Sequence, residues 1–451
     1  MLAEIATSLT LASVYGLAQM KKDGGVGDDV KKIRQIADAI GLKKNGQSII
    51  IRRRDPADKE KNKFYSEYIF QIPLGLAFSD FETKLNVFQD GLNIKKTLYS
   101  FSLSDIKKIN IKKLMKLKSL KAKINYIKKF IKDKNSIRKS IEMSYDGMIH
   151  FKVYDQDIPN QVDFNVEKWD ECNGWKLPLG ENREGTVFLD LASGHFVIAG
   201  ATTFGKSQLL KLMISTLLTN KPNETEMTLV DLKGGLEMQY FEDCKQTINF
   251  ADDIETAVAS LKHIVADIQQ RQKMLRVKKV NNVKKAGINK RHFIIVDEAS
   301  QLAPSQVPSK YKELAKEAQA YMSYITRIGH SMGYTLVYAT QYPVGDVMPN
   351  QIKANSNTTI CFRLETDTQS ETVLDQKGAE QIQLQGRCIL SVPSGRQQVQ
   401  TYLIDDKTIK TVVTPNIVIK SRKDDTLAEV RKEGTTNRRY TLELEETEVL
   451  N

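Results

Sequence analysis

The octapeptide GATTFGKS, Gly200 to Ser207, sets two glycines around four residues and follows them with a lysine and a hydroxyl. That is the spacing of a phosphate-binding loop. Placed between a strand and a helix, such a loop turns consecutive backbone N–H groups and the positive helix end onto phosphate oxygens. Gly200, Ala201, Thr202, Thr203, Phe204, Gly205, Lys206 and Ser207 are therefore the candidate nucleotide-binding residues. Lys206 adds a mobile point charge for the β and γ oxygens, and the Ser207 hydroxyl suits Mg2+. A plain glycine turn can have the same letters, so the flanks matter. His195 to Ala199, HFVIA, reads as a short buried strand. After the loop, Leu209/Leu210, Met213/Ile214 and Leu217/Leu218 recur at helical spacing. The expectation is a strand, loop and helix that hold ATP with Mg2+.

Two further segments supply what hydrolysis needs. Phe293 to Val296, FIIV, is wholly apolar, as in a central parallel strand, and ends in Asp297 and Glu298. Carboxylates at the carboxyl end of such a strand face the ligand crevice of an open α/β sheet. Asp297 is the candidate metal ligand beside Ser207, and Glu298 the candidate base for the attacking water. The alternative is a strand followed by a solvated acidic turn. Thr335 to Gln341, TLVYATQ, reads as another buried strand, with Gln341 placed to sense the γ-phosphate or orient water.

Pro178 to Gly180 (PLG), FVIAGATTFGKS, VDLKGG (Val230 to Gly235), IIVDE, YATQYP, IKANSNTTICFR, VLDQKGAE and LQG (Leu384 to Gly386) follow one another in a fixed order. This run, Leu177 to Asp405, resembles the motor domain of the FtsK/SpoIIIE family. The resemblance implies an α/β fold: a RecA-like P-loop motor with a mainly parallel sheet, assembling as a hexameric ring and spending ATP to pump DNA. Members on plasmids and integrative elements are coupling proteins that hand DNA to a conjugation channel, which implies a relaxase complex and a membrane-associated transfer apparatus as partners. Tyr68 to Glu82 is similar to the N-terminal part of those relatives. The family usually has Gly-Ser where Thr203 and Phe204 stand, and a β-branched residue is costly if that position needs φ > 0. It also has DPKG where this chain has Asp231-Leu232-Lys233-Gly234.

Ring ATPases commonly need a cation from a neighbouring subunit at the transition state. Arg327, before TLVYATQ, and Arg363, after the next strand, are the candidates, with a structural ion pair as the alternative for each. Between Arg271 and Arg291 lies a basic stretch whose Arg276, Lys278, Lys279, Lys284 and Lys285 suit the lining of a DNA channel. Such runs also occur as solvated surface loops.

The 451 residues leave room for two or three domains. Charge is uneven: Asp105 to Lys139 holds fourteen Lys/Arg and two Asp, a local +12 that equals the net charge of the chain. There Leu117, Leu120, Ile124, Ile127 and Ile131 step by three and four, giving a helix with one apolar face. Its lysines fit DNA phosphate, an anionic lipid surface or plain solvation. Four cysteines without CxxC spacing and five histidines without ligand pairing point to a reduced, cytoplasmic protein lacking a metal cluster. No run of 18 apolar residues appears. Ile5 to Met20 is a marginal apolar stretch, read as a docking helix or a peripheral attachment at the inner face of the cell membrane.

The expected organisation is an apolar N-terminal helix (1–23), a small α+β domain with basic helices (24–155), a linker (156–176), the motor (177–405) and a polar tail (406–451). Strands are expected at Ser48–Arg52, Glu67–Ile72 and Gly147–Tyr154. The functional expectation is a DNA-translocating ATPase, most specifically the coupling ATPase of a conjugative or mobile element. The competitors are a DNA segregation translocase, a protein-secretion ATPase on the same fold, and a nucleotide-gated DNA-binding adaptor with little turnover.

Overall fold

In the computed structural model the described residues are 26–58, 64–93, 99–100, 132–133 and 139–418. The apolar N-terminal stretch, nearly all of the basic run from Asp105 and the acidic tail lie outside them.

The N-terminal unit is α+β. Helix α1 (Val26–Ala39) precedes β1 (Ile50–Asp55) and β2 (Tyr65–Gln71); helix α2 (Leu85–Leu92) precedes β3 (Ser140–Tyr145) and β4 (Ile149–Tyr154). The four strands form an antiparallel sheet ordered β1-β2-β4-β3. Period-two alternation sends Tyr68, Phe70, Phe151 and Val153 to one face, where Ile33, Ala37, Phe88 and Leu92 of the helices cover them. Strand β3 is not among the expected strands. It pairs with β4 through a tight turn in which Gly147 sits at φ +109°.

The large sheet holds the nucleotide loop. Its chain order is β5 (Lys176–Glu181), β6 (Thr186–Asp190), β7 (His195–Ala199), α3 (Lys206–Asn220), β8 (Thr225–Val230), β9 (Thr247–Ala251), α4 (Ile254–Val277), β10 (Arg291–Val296), α5 (Lys312–Ile328), β11 (Tyr334–Thr340), β12 (Ser356–Cys361), α6 (Asp367–Leu374), β13 (Arg387–Val392), β14 (Gly395–Leu403) and α7 (Asp406–Val413). Spatially the strands run β9-β8-β10-β11-β7-β12-β13-β14-β5-β6. From β9 to β12 every pairing is parallel, and from β12 onward every pairing along that order is antiparallel. The fold is thus a mixed, mostly parallel sheet with helices.

The apolar strands are buried because both faces are covered. Phe196 and Ile198 of β7, with Phe293, Ile295 and Val337, point to the face packed by α3 and α7. Val197 and Ala199, with Ile294, Val296, Leu336 and Tyr338, point to the face packed by α4 and α5. Helix α3 ends up flanked by apolar residues on most of its circumference, which is why its leucines recur in pairs.

Both borders expected for the motor are packed against it. In the stretch expected as a linker, Val162–Asp163 pairs with β14, and Trp169 is buried with its indole N–H donated to Thr216 Oγ1 at 2.9 Å. Beyond the expected end of the motor, Asp405 caps α7 by accepting the Thr408 N–H at 2.8 Å, and Ile409 and Val413 join the core.

Candidate nucleotide site

The loop from Gly200 to Gly205 leaves the carboxyl end of β7 and enters α3 at Lys206. It is fixed at both ends. Gly200 N–H donates to Thr340 O of β11 at 3.2 Å, Ala201 N–H to Arg363 O at 2.8 Å, and Gly386 N–H to Phe204 O at 3.0 Å. A Cβ at Gly200 would stand 2.7 Å from Phe362 Cβ, so glycine is needed for this approach. Gly205 has φ +117°, and Thr203 has φ +70°. A β-branched side chain in the left-handed region costs on the order of 1–2 kcal/mol. The strain expected at this departure from the family pattern is present. Phe204 packs its ring against the core cluster.

Strand β10, the neighbour but one of β7, delivers the acidic pair. Lys206 reaches across and donates to Asp297 O at 2.6 Å and Asp297 Oδ1 at 2.7 Å, with Glu298 Oε2 at 3.7 Å. All three side chains are at most 5% exposed. Oε1 of Glu298 accepts from Ser300 Oγ, from Thr340 Oγ1 at 3.2 Å and from Gln341 N–H at 3.0 Å. Burial alone would raise this carboxyl. The Lys206 charge, the Ser300 and Gln341 donors and the Lys233 charge outweigh it and hold Glu298 below the ordinary carboxylate range. Gln341 also closes the gap to the loop, its Oε1 accepting from Thr202 Oγ1 at 3.0 Å.

These residues fit a nucleotide with a hard divalent cation. Asp297 Oδ2 and Glu298 Oε2 are buried oxygens without a hydrogen-bond partner among the described residues; the Lys233 ammonium lies within 4.0 Å of both, and that of Lys206 3.7 Å from Glu298 Oε2. Unpartnered carboxylate oxygens, together with the hydroxyl that Ser207 carries in the first turn of α3, are oxygen donors of the kind that Mg2+ takes. Lys206 can exchange Asp297 for phosphate oxygens by rotating about its own stem.

Lys206, Ser207, Asp297, Glu298 and Gln341 thus meet at the carboxyl ends of β7, β10 and β11. Arg363 joins them in an unexpected way: its guanidinium lies over the Phe204 ring at 5.3 Å, within reach of this chain's own loop. Arg327 does not join. It is exposed near the end of α5, its guanidinium 5.7 Å from the Tyr324 ring, at the amino end of β11 and the opposite edge of the sheet from the loop. The basic stretch is at that far edge too, roughly 20 Å away along the six-residue strand β10.

Within that stretch the structure separates two kinds of cation. Arg271 donates to Met332 O and lies 4.6 Å from the Tyr334 ring, Lys290 pairs with Glu226 at 2.7 Å, and Arg291 donates to three carbonyls. Arg276, Lys278, Lys279, Lys284 and Lys285 are all exposed, and none has an ion-pair partner among the described residues.

Lys233 is the site residue that sequence reasoning misses. Its Nζ is 3.3 Å from Glu298 Oε2 and 4.0 Å from Asp297 Oδ2. The signal lies in VDLKGG, whose two charges name no role until the turn that carries them is seen.

Comparison with known proteins agrees with this geometry. Residues 166–330 match the FtsK/SpoIIIE family model. The type VII secretion system protein EssC of Staphylococcus aureus is 30% identical over 280 residues, covering 54% of this chain and 18% of its own length. The DNA translocase FtsK of Campylobacter jejuni is 28% identical over 230 residues, covering 48% of this chain and 23% of its own length. The chain therefore spans less than a quarter of either relative. A structure of the pCW3 conjugation coupling protein TcpA with ATPγS superposes with a TM-score of 0.55 at 19% identity, over 86% of this chain and 99% of that one. The shared fold thus extends beyond the matched segment to the N-terminal unit. Residues 166–330, which carry the loop and the acidic pair, are thus similar to the FtsK/SpoIIIE family, and the chain shares the fold of the TcpA structure.

Proposed function

We propose that this protein is an ATP-driven DNA translocase, the coupling ATPase of a conjugative or mobile element. The observation that carries the ATPase part is the meeting of Lys206, Asp297, Glu298 and Gln341 around two buried, unpartnered carboxylate oxygens. In this reading Ser207 and Asp297 hold Mg2+, whose charge offsets that of the β and γ oxygens. Lys206 turns from Asp297 to those same oxygens. Glu298, anchored through Oε1, takes the proton of a water at Oε2 as the water oxygen attacks the γ-phosphorus. The bond to the bridging oxygen breaks, ADP leaves with that electron pair, and no covalent enzyme intermediate forms.

The DNA part rests on the five exposed cations without counter-ions among the described residues, at the edge of the sheet away from the fuel site. A polyanion held there leaves the nucleotide pocket free. Homo-oligomerisation into a hexameric ring would bring Arg327 of one copy toward the site of the next. A membrane-associated transfer apparatus and a relaxase complex are the corresponding partners. Location in the cytoplasm, at the inner face of the membrane, completes the reading.

A second reading is favoured by the EssC likeness: a protein-secretion ATPase on the same fold. A DNA translocase that serves segregation is the third; the likeness to the DNA translocase FtsK supports its translocase part. Steady-state phosphate release measured with duplex DNA, single-stranded DNA, an unfolded polypeptide and no polymer separates the two DNA readings from the secretion one. Stimulation by DNA is the expected result. Stimulation by polypeptide alone would replace the DNA reading with the secretion one. Equal rates with and without every polymer would remove the translocase, and ATP-dependent DNA affinity without phosphate release would leave only a nucleotide-gated adaptor.

A further inference from the structure

Glu298 is held unevenly. Its Oε1 accepts from Ser300, Thr340 and the Gln341 backbone, while its Oε2 has no hydrogen-bond donor among the described residues and faces two ammonium groups. One is Lys206 at 3.7 Å and the other is Lys233 at 3.3 Å. Lys206 belongs to the phosphate loop and is drawn to phosphate when a nucleotide is held. Lys233 is then the remaining cation beside Oε2.

The turn that carries Lys233 is built for this placement. Asp231, fully buried at the end of β8, accepts from Lys233 N–H at 3.3 Å, Glu237 N–H at 2.8 Å and Met238 N–H at 3.0 Å. Gly235 N–H closes back onto Asp231 O at 3.0 Å. Gly234 and Gly235 take φ +78° and +73° in succession, a path only glycine follows without strain. A Cβ on Gly235 would also come within 3.1 Å of Phe250. The chain therefore reverses within two residues and returns the Lys233 stem across the crevice onto the next strand's acidic pair. A solvated lysine would need none of this.

We infer that Lys233 is a positioning residue for the hydrolytic step: its ammonium holds Oε2 of Glu298 toward the attacking water after Lys206 has moved to the phosphates. The inference rests on the ATPase reading above. It assigns Lys233 no part in holding the nucleotide in the ground state, because its nearest groups are the carboxylates and not the loop. Its removal should act on kcat and not on affinity.

The test uses the full chain and four variants, K233M, K233R, E298Q and the double variant K233M/E298Q, with Mg·ATP turnover and binding of a fluorescent ATP analogue measured on each. K233M should lower kcat about tenfold, with KM and analogue affinity within about twofold of wild type. K233R, which keeps the charge, should recover more than half of the lost rate. In the E298Q background K233M should add nothing, since the partner through which it acts is gone. Unchanged kcat in K233M, a matching loss of affinity, or a full additional loss in the double variant would each overturn the inference. If K233M fails to fold, as read from its circular dichroism and thermal melt, K233Q replaces it, and wild-type turnover by K233Q overturns the inference. Absence of turnover in the wild type itself would remove the ATPase reading and this one with it, whereas turnover shared equally by wild type and K233M removes this one alone.

Discussion

At the carboxyl ends of the parallel strands, Lys206, Lys233, Asp297 and Glu298 face one another within 4.0 Å and their formal charges cancel. At the amino ends, where His195 and His292 are buried, Arg276, Lys278, Lys279, Lys284 and Lys285 stand in solvent without counter-ions among the described residues. One edge is compensated and desolvated, the other uncompensated and wet. Charge that is already balanced in a low-dielectric pocket can be rearranged around an incoming phosphate without first being neutralised. Free surface lysines attract a polyanion at long range and are screened by salt. In the function proposed above the two edges take different tasks, small-molecule chemistry and polymer grip.

The sharpest way to break this contrast is to disable the compensated edge alone. Glu298→Gln keeps the size and the Oε1 contacts but cannot take a proton. Turnover should fall by roughly 100-fold or more, the range for a lost general base. Binding of an ATP analogue and of DNA should persist. Unchanged phosphate release would take Glu298 out of the base role.

The opposite edge is tested by charge removal. Changing Lys278, Lys279, Lys284 and Lys285 together to Gln should leave polymer-free ATP turnover intact and weaken duplex binding. It should also make the log-log salt dependence shallower by about 0.9 for each phosphate that is no longer neutralised. A salt slope identical to wild type would make these lysines solubilising only.

Much of this contrast is visible in the sequence, and the part that is not has a common cause. HFVIA, FIIV and TLVYAT announce themselves because a strand buried on both faces must be apolar throughout, and the loop between HFVIA and its helix has few chemical alternatives. Strand β3 is hidden because SIEMSY mixes polar and apolar residues right after a lysine-rich stretch, and only its ladder with β4 defines it. Trp169 and its short helix read as polar linker since the partner that buries them, α3 with Thr216, comes 47 residues later. Lys233 and Arg363 belong to the same class. What they touch is decided by two consecutive left-handed glycines in one case and by the return of β12 beside β7 in the other. Local letters state which chemistry is available. The crossovers decide which pieces of it meet.

A smaller effect probes the amino edge through acid. His195 and His292 are both pushed down to about 4. Burial is the main cause in each; for His195 the neighbouring His330 adds to it, and for His292 Arg271 and His263 lower it further against the pull of Glu226 and Asp267. Leu336 N–H donates to His195 Nδ1 at 2.9 Å, a bond the protonated ring cannot accept. Because the folded values lie below the ordinary 6.5, the neutral forms stabilise the fold fully above that pH. That stability is lost as pH falls from 6.5 through 4, on the order of 1–3 kcal/mol for each ring. Urea melts at pH 7.5, about 5.5 and about 4.5 should show it, and His292→Gln should flatten the curve. A His292→Gln variant as acid-sensitive as wild type would place the titration elsewhere.

Smallest, and most specific to this chain, is the strain at Thr203. Its φ of +70° is a conformation that Asn and Gly adopt readily and a β-branched residue resists. The side chain is exposed, so replacing it removes no core packing. Thr203→Asn relieves the strain at little entropic cost and should stabilise the fold by about 1 kcal/mol. Thr203→Gly should gain less, since glycine has more freedom to lose on folding. Thr203→Val keeps the branching and should gain nothing. Thermal melts that rank Asn above Gly and both above Thr and Val confirm that the loop stores strain. If Val matches Asn, the backbone at this position relaxes without cost, and the departure from the family's glycine is neutral. If the ranking holds while Thr203→Asn binds the ATP analogue no more tightly, the stored energy is not released by binding but is carried through it, as expected of a loop whose anchors at Thr340, Arg363 and Gly386 fix its path beforehand.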